Sequence, residues 1–198
     1  MELDANLKKE EFSVDTGATS CVVLITKDFI YCANAGDSRA VLKCGTTAVG
    51  LSEDHKPDNA LELARIEKSG HSVEESRVDG NLALSRAFGD YQYKDSLTLS
   101  PENQAVTANP DIVKRARSSD DKFIMLACDG IWDCMSNERC VEYVTDTMKK
   151  TKAKKDGMHK TVEIMLDDIL AVDTSDGIGT DNMTAVLIYF HNNNSTTD

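Results

Sequence analysis

The chain has 198 residues, 40% hydrophobic and 28% charged, which suits one globular domain with a real hydrophobic core. Its 34 acidic and 22 basic residues give a net charge of −12, which argues against nucleic acid as a partner because such binding needs a concentrated basic face. The apolar runs are strand-sized and no signal peptide is recognisable, so we predict a cytoplasmic protein, with the nucleus as the alternative, and no membrane partner.

The N-terminal half predicts short strands joined by turns. Its apolar and β-branched runs lie at residues 20–26, 29–35 and 40–43. The first two flank a Lys27-Asp28 turn and therefore predict a β-hairpin. Residues 1–14 are charged instead, and we expect an N-terminal arm or the remnant of a helix there.

A helix is predicted after these strands, over residues 58–69, with an apolar stripe that includes Leu61 and Ile66. Residues 72–110 follow without a clear period and contain several turn signals. We interpret this second segment as an irregular surface excursion.

The C-terminal half returns to strands and adds two helices. Strands are predicted over residues 112–115, 123–128 and 184–190. Ser136 is positioned to cap a helix that runs to about residue 149, and a second helix covers about 160–171. The Asn-rich residues 191–198 predict a disordered tail.

Four aspartates stand where a strand meets a turn: Asp37, Asp129, Asp133 and Asp181. Clustered carboxylates repel one another, and a divalent cation is the usual resolution of that repulsion. All-oxygen ligation selects magnesium, manganese or calcium. Gly130 fits a metal site because it allows a sharp turn and leaves space for metal-bound waters. The alternative is that these are ordinary turn residues, since Asp-Gly is a common turn pair.

The sequence does not fit several well-known catalytic motifs. A cysteine-based phosphatase needs C-x5-R, and the spacing from Cys32 to Arg39 is one residue too long. The D-x-D-x-T motif that begins at Asp129 would need a second aspartate at position 131, which is Ile131. The sequence also contains no P-loop, G-x-S-x-G or H-E-x-x-H motif.

Six segments occur in an order and spacing that are specific together. They are GATSCVVLI, ANAGDSRAVL, EDHKPDNALELARIEKSGHSV, RVDGNLALSRAFGD, LACDGIWD and TDNMTAVLI. Over about residues 15–190 the chain resembles the metal-dependent serine/threonine protein phosphatases of the 2C type. The resemblance implies an α+β fold in which two antiparallel β-sheets form a sandwich flanked by helices, a four-layer αββα arrangement.

The resemblance also implies a chemistry and a set of site residues. Such enzymes hydrolyse phosphoserine and phosphothreonine in proteins with a water bridged by two Mg2+ or Mn2+ ions. Asp129 and Asp181 match the metal-binding, catalytic aspartates, while Asp37 and Asp133 match positions linked to a third, weaker metal site. Residues 57–90 resemble the flap beside the site.

Within that flap, Arg77 is a weak candidate for substrate contact. Phosphorylated proteins are the partners that the resemblance implies. Gly130 is assigned to the metal site with the aspartates, for the space that it leaves to metal-bound waters.

One part of the family pattern is absent from the sequence. The pattern normally includes an arginine-containing phosphate-binding segment and a DGHGG motif whose aspartate bridges both metals, and neither occurs here. We therefore expect the C-terminal two-thirds of a catalytic domain, with its N-terminal strands missing and with weak or no activity alone. Unpaired sheet edges would then favour self-association. The alternative function is a pseudophosphatase, a non-catalytic binding module.

Overall fold

A computed structural model describes residues 1–13, 16–151 and 157–191. The chain divides into two compact units. The first comprises Met1–Val23, Cys32–Ser38 and Ser52–Val113, and the second comprises Leu24–Tyr31, Arg39–Leu51 and Lys114–Asp198. The predicted tail lies outside the described residues from position 192 onward.

The described ranges contain five α-helices and eleven strands. The helices are α1 (Glu2–Leu7), α2 (Ala60–Ser69), α3 (Asp129–Trp132), α4 (Asn137–Lys150) and α5 (Met158–Ile169). The strands of the N-terminal half are β1 (Gly17–Ala18), β2 (Ser20–Ile25), β3 (Phe29–Ala35), β4 (Arg39–Cys44) and β5 (Thr47–Gly50). The remaining strands are β6 (Val73–Glu74), β7 (Arg77–Val78), β8 (Phe88–Gly89), β9 (Asp111–Ala116), β10 (Asp121–Ala127) and β11 (Ala185–Tyr189).

Helix α2 and the segment after it form the core of the first unit. The buried residues of this core are Ile66, Val78, Ala87, Tyr93, Ala105 and Val106. The helix ends where predicted because Gly70 adopts the left-handed conformation with φ 98°. The predicted apolar stripe is wrong at Leu61, which is 82% exposed, and the buried neighbour is the charged Glu62.

The predicted β-hairpin is confirmed by β2 and β3, which are neighbours in a three-stranded sheet of order β2-β3-β9. At its turn the Thr26 amide donates to the Phe29 carbonyl over 2.9 Å. The region predicted to be irregular, residues 72–110, has three two-residue strands and short 3-10 turns. Two of these strands, β6 and β7, pair with each other, and β8 pairs with β1.

A four-stranded sheet of order β11-β10-β4-β5 forms the second unit's framework, and its neighbouring strands are antiparallel. Helix α4 contacts β4 and β5, and α5 contacts β11 and α4. The core between them includes Phe123, Met125, Trp132, Val144 and Met165. The predicted cap of α4 is confirmed, since Ser136 Oγ accepts a hydrogen bond from the Arg139 amide.

Candidate metal centre

Two of the predicted aspartates lie at one end of two paired strands in the four-stranded sheet. Strand β10 ends at Ala127, which is paired with Ala185 at the start of β11. Asp129 follows the end of β10 as the first residue of α3, while Asp181 precedes the start of β11. In an antiparallel pair, the end of one strand lies beside the start of the other. The register therefore places both aspartates at the same end of the sheet.

Gly130 brings the two segments into direct contact. A Cβ at this position would lie 2.4 Å from the Asn182 carbonyl oxygen and 3.5 Å from Asp181 Cβ. Only a glycine therefore allows α3 to approach the Asp181-Asn182 backbone this closely. Cys128 reinforces the contact, because its Sγ lies 3.3 Å from the Asn182 carbonyl oxygen.

The two carboxylates are held in the same way. Asp129 Oδ1 accepts a hydrogen bond from the Gly130 amide at 2.9 Å, and Asp181 Oδ1 accepts one from the Asn182 amide at 2.6 Å. Asp129 is half-buried and Asp181 is exposed. Oxygen donors of this kind suit Mg2+ or Mn2+, so the residues present fit part of the predicted site.

Asp133 lies one helical turn beyond Asp129, and its amide donates to the Asp129 carbonyl at 2.8 Å. Residues four apart on a helix share a face, so the structure places this exposed carboxylate beside Asp129. Across the described residues, however, no set of three or more His, Cys, Asp or Glu side chains is arranged to hold an ion.

Asp37 belongs to the first unit and has a partner that the sequence analysis missed. Its side chain is 5% exposed, and Oδ2 lies 2.6 Å from Lys56 Nζ. A lysine therefore compensates the buried charge in this structure. No local pattern in the sequence predicts this pair, because nineteen positions separate the two residues.

The flap candidate Arg77 lies in β7, where it is exposed, and its Nη1 donates to the Asn81 carbonyl at 2.7 Å. Its role in substrate contact stays a prediction. His55 has a structural environment: its buried ring lies 3.1 Å from the Gly36 amide and 3.1 Å from Asp111 Oδ2.

The fold, with its antiparallel sheets and flanking helices, is that of a phosphatase family, as comparisons with known proteins show. The family model of Protein phosphatase 2C matches residues 1–178, and the chain belongs to that family. A search of curated proteins gives 48% identity over 176 residues with Protein phosphatase 2C homolog 2 of Hypocrea jecorina, covering 88% of this chain and 39% of the relative. Probable protein phosphatase 2C 3 of Paramecium tetraurelia is 44% identical over 173 residues, covering 87% and 58% respectively.

Solved structures give the same result. A phosphatase from a pathogenic strain of Toxoplasma gondii matches with a TM-score of 0.72 and 36% identity, covering 82% of this chain and 48% of that one. The predicted α+β class, with antiparallel sheets and flanking helices, is confirmed. The chain spans about two-fifths to three-fifths of the length of the two curated relatives. Among the described helices, none has the length and apolar character to cross a bilayer.

Proposed function

We propose that this chain forms part of the catalytic region of a Mg2+- or Mn2+-dependent protein serine/threonine phosphatase. The supporting observation is the close approach of Gly130 to the Asp181-Asn182 backbone, which sets Asp129 and Asp181 at one edge of the sheet. Phosphoserine and phosphothreonine in proteins would be the substrates. We also propose that residues 15–190 form a single catalytic segment. The proposed location is cytoplasmic or nuclear.

The roles of the chain's own residues follow from their positions. Asp129 and Asp181 would bind the cation, and their amide hydrogen bonds would hold each carboxylate in a fixed direction. Asp133 would add a third carboxylate, one helical turn beyond Asp129. A bound divalent cation would activate water and offset the charge of the phosphoryl oxygens. The metal would thus allow an acidic protein to accept an acidic substrate.

We further propose that these 198 residues alone turn over substrate weakly or not at all. The sequence contains no DGHGG segment, and with it the aspartate expected to bridge two metals is absent. The second candidate is a pseudophosphatase. It is favoured by the lysine that already neutralises Asp37, a position linked by resemblance to metal binding.

Calorimetric titration with Mn2+ tests the metal site apart from activity. We expect heat of binding for the wild-type chain and a large loss for Asp129→Asn and Asp181→Asn. Asp176→Asn is the matched control, because Asp176 is an exposed aspartate of the same loop that accepts from the Ile178 amide. Identical heats for all four proteins would remove the metal proposal.

Release of phosphate from a phosphothreonine peptide tests the proposed phosphatase activity. We expect background rates from the 198 residues with Mn2+. Robust turnover that Asp129→Asn abolishes would contradict the expected incomplete site while supporting the metal role. Robust turnover that Asp129→Asn retains would contradict both. Mn2+ binding without any turnover, in a longer chain that carries a DGHGG segment, would favour the pseudophosphatase.

A further inference from the structure

A cleft of about 300 Å3 lies in the second unit, at the end of β10 that is remote from Asp129. Three lysines line it: Lys43, Lys122 and Lys149. Its volume is at the lower limit of ligand pockets, which span roughly 300–1,000 Å3. Lys122 and Asp129 are seven positions apart along an extended strand and its end, roughly 20 Å, so the cleft is separate from the candidate metal centre.

The sheet register builds the floor of this cleft. Phe123 on β10 is paired with Lys43 on β4 and with Tyr189 on β11. Directly opposed residues point to the same face of a sheet, so these three side chains form one row across it. Met148 of α4 packs against the same core and also lines the cleft. The cleft therefore combines an apolar floor with ammonium groups.

Lys43 is fixed in this row. Its Nζ donates to Thr145 Oγ1 of α4 at 2.7 Å, an interaction with a neutral group that leaves the positive charge uncompensated by that contact. Lys149 lies 3.1 Å from Asp146 Oδ1, and both of these side chains are mostly exposed. An exposed pair of this kind contributes little and is easily exchanged for another anion.

Lys149 and Lys122 both act on Lys43, in a chain whose net charge is −12. Burial lowers the pKa of Lys43, the positive charges of Lys149 and Lys122 lower it further, and Asp146 opposes them. Such like-charge repulsion is relieved when a dianion enters between the ammonium groups.

We propose that this cleft binds a small organic phosphate, in which a phosphate monoester group contacts the three lysines and an attached apolar or aromatic group contacts Met148 and Tyr189. The binding site would be additional to the candidate metal centre. It depends on no hydrolysis, so it stands or falls independently of the proposed phosphatase activity.

Titration with phenylphosphonate in metal-free buffer tests the proposal, because this probe is a dianion with an aromatic ring and a C–P bond that a phosphatase does not hydrolyse. Amide chemical shifts in NMR spectra of the full chain should change around Lys43, Phe123 and Tyr189. Changes centred on Asp129 and Asp181 would overturn the proposal. Inorganic phosphate should bind more weakly, and equal affinity would contradict the role of the apolar floor.

A pair of triple variants supplies the matched control. Lys43→Gln/Lys122→Gln/Lys149→Gln should weaken phenylphosphonate binding about tenfold or more, since it removes the charged donors that would bind the dianion. Lys9→Gln/Lys27→Gln/Lys68→Gln removes the same charge from three exposed lysines that do not line the cleft, and it should change affinity less than about twofold. Equal losses in both variants would show a general charge effect and overturn the proposal. Circular dichroism melting checks that each variant is folded.

Discussion

Glu62 and Arg86 form a buried ion pair in the first unit, with Glu62 Oε1 2.6 Å from Arg86 Nη2 and side-chain exposures of 3% and 10%. The carboxylate also accepts from Ser85 Oγ at 2.6 Å and lies 2.7 Å from Arg65 Nη2. Arg86 in turn donates to Asp111 Oδ1 at 2.7 Å. The Glu62 carboxylate thus links α2 to the segment around residue 86. Each buried charged group in this network has hydrogen-bond or ion-pair partners.

Glu62→Ala should destabilise the protein by about 3–5 kcal/mol, because it leaves the buried guanidinium of Arg86 without its main partner. Urea unfolding followed by circular dichroism measures this change. Glu67→Ala is the matched control, since Glu67 is an exposed glutamate on the same helix, and its effect should stay within about 0.5 kcal/mol. Equal effects of the two substitutions would contradict a structural role for the pair.

The same carboxyl predicts a pH dependence of stability. Burial alone raises the pKa of Glu62, but hydrogen bonds from Arg86, Arg65 and Ser85 outweigh it and lower the pKa from 4.5 to about 2. A group whose folded-state pKa is depressed stabilises the fold above its unfolded pKa. This contribution is therefore present above about pH 4.5 and is lost as the pH falls toward 2.

Unfolding free energies measured between pH 6 and pH 2 check this prediction. The Glu62→Gln variant should be less stable at neutral pH but should lose less stability over the acid range. A parallel decline in wild type and variant would show that other carboxyls account for acid unfolding.

Helix α2 shows which features of the fold can be predicted from the sequence and which cannot. Its C-terminal limit was predictable because Gly70 follows it, whereas the helix begins at Ala60, two residues after the predicted start, and Asn59 makes no side-chain capping hydrogen bond. Its buried face was not predictable, because a hydrophobicity pattern favours Leu61 over Glu62. What decides the burial of Glu62 is Arg86, twenty-four positions away, and only the folded chain brings the two together.

In the candidate metal centre, too, local features were predictable and tertiary partners were not. The sequence shows that Asp129 and Asp181 each adjoin a strongly apolar strand, and the pairing of those two strands in the structure brings them to the same end of the sheet. The lysine beside Asp37 was not predictable, because no local pattern relates Lys56 to a turn on another strand. Local patterns predict elements and their ends, whereas partners of buried charges depend on tertiary contacts.

Gly130→Ala should disturb the contact between α3 and the Asp181 segment. The added Cβ would lie 2.4 Å from the Asn182 carbonyl oxygen, so one of the two backbones must move. We expect a loss of about 1–3 kcal/mol in stability, together with weaker Mn2+ binding. Thermal melting and calorimetry measure the two effects.

Gly157→Ala is the control for that substitution, because a Cβ there meets nothing within 4 Å. Gly157 precedes α5, and its φ of −117° is open to any residue. Its replacement should leave both measurements close to those of the wild type. A Gly130→Ala protein with unchanged melting would show that the close approach is not needed.

Ser136→Ala should destabilise the protein by about 1 kcal/mol, because it removes the oxygen that accepts from the Arg139 amide at the start of α4. Ser136→Asp retains an acceptor and adds a negative charge near the helix N-terminus, so it should restore most of the stability. Urea unfolding of the three proteins gives the comparison. An aspartate variant as unstable as the alanine variant would contradict the capping role.

Strand β2 should promote self-association. It is an edge strand of its sheet, and two of its apolar side chains, Val22 and Leu24, are 56% and 59% exposed. An exposed apolar edge is a template for pairing with another chain, and a lysine on it opposes such pairing. Sedimentation velocity should show a coefficient that rises with concentration for the wild type and a smaller rise for Val22→Lys. Leu61→Lys, an equally large apolar-to-lysine change at an exposed helix position, should leave the association unchanged. A strictly monomeric wild-type profile over the concentration range would refute this prediction.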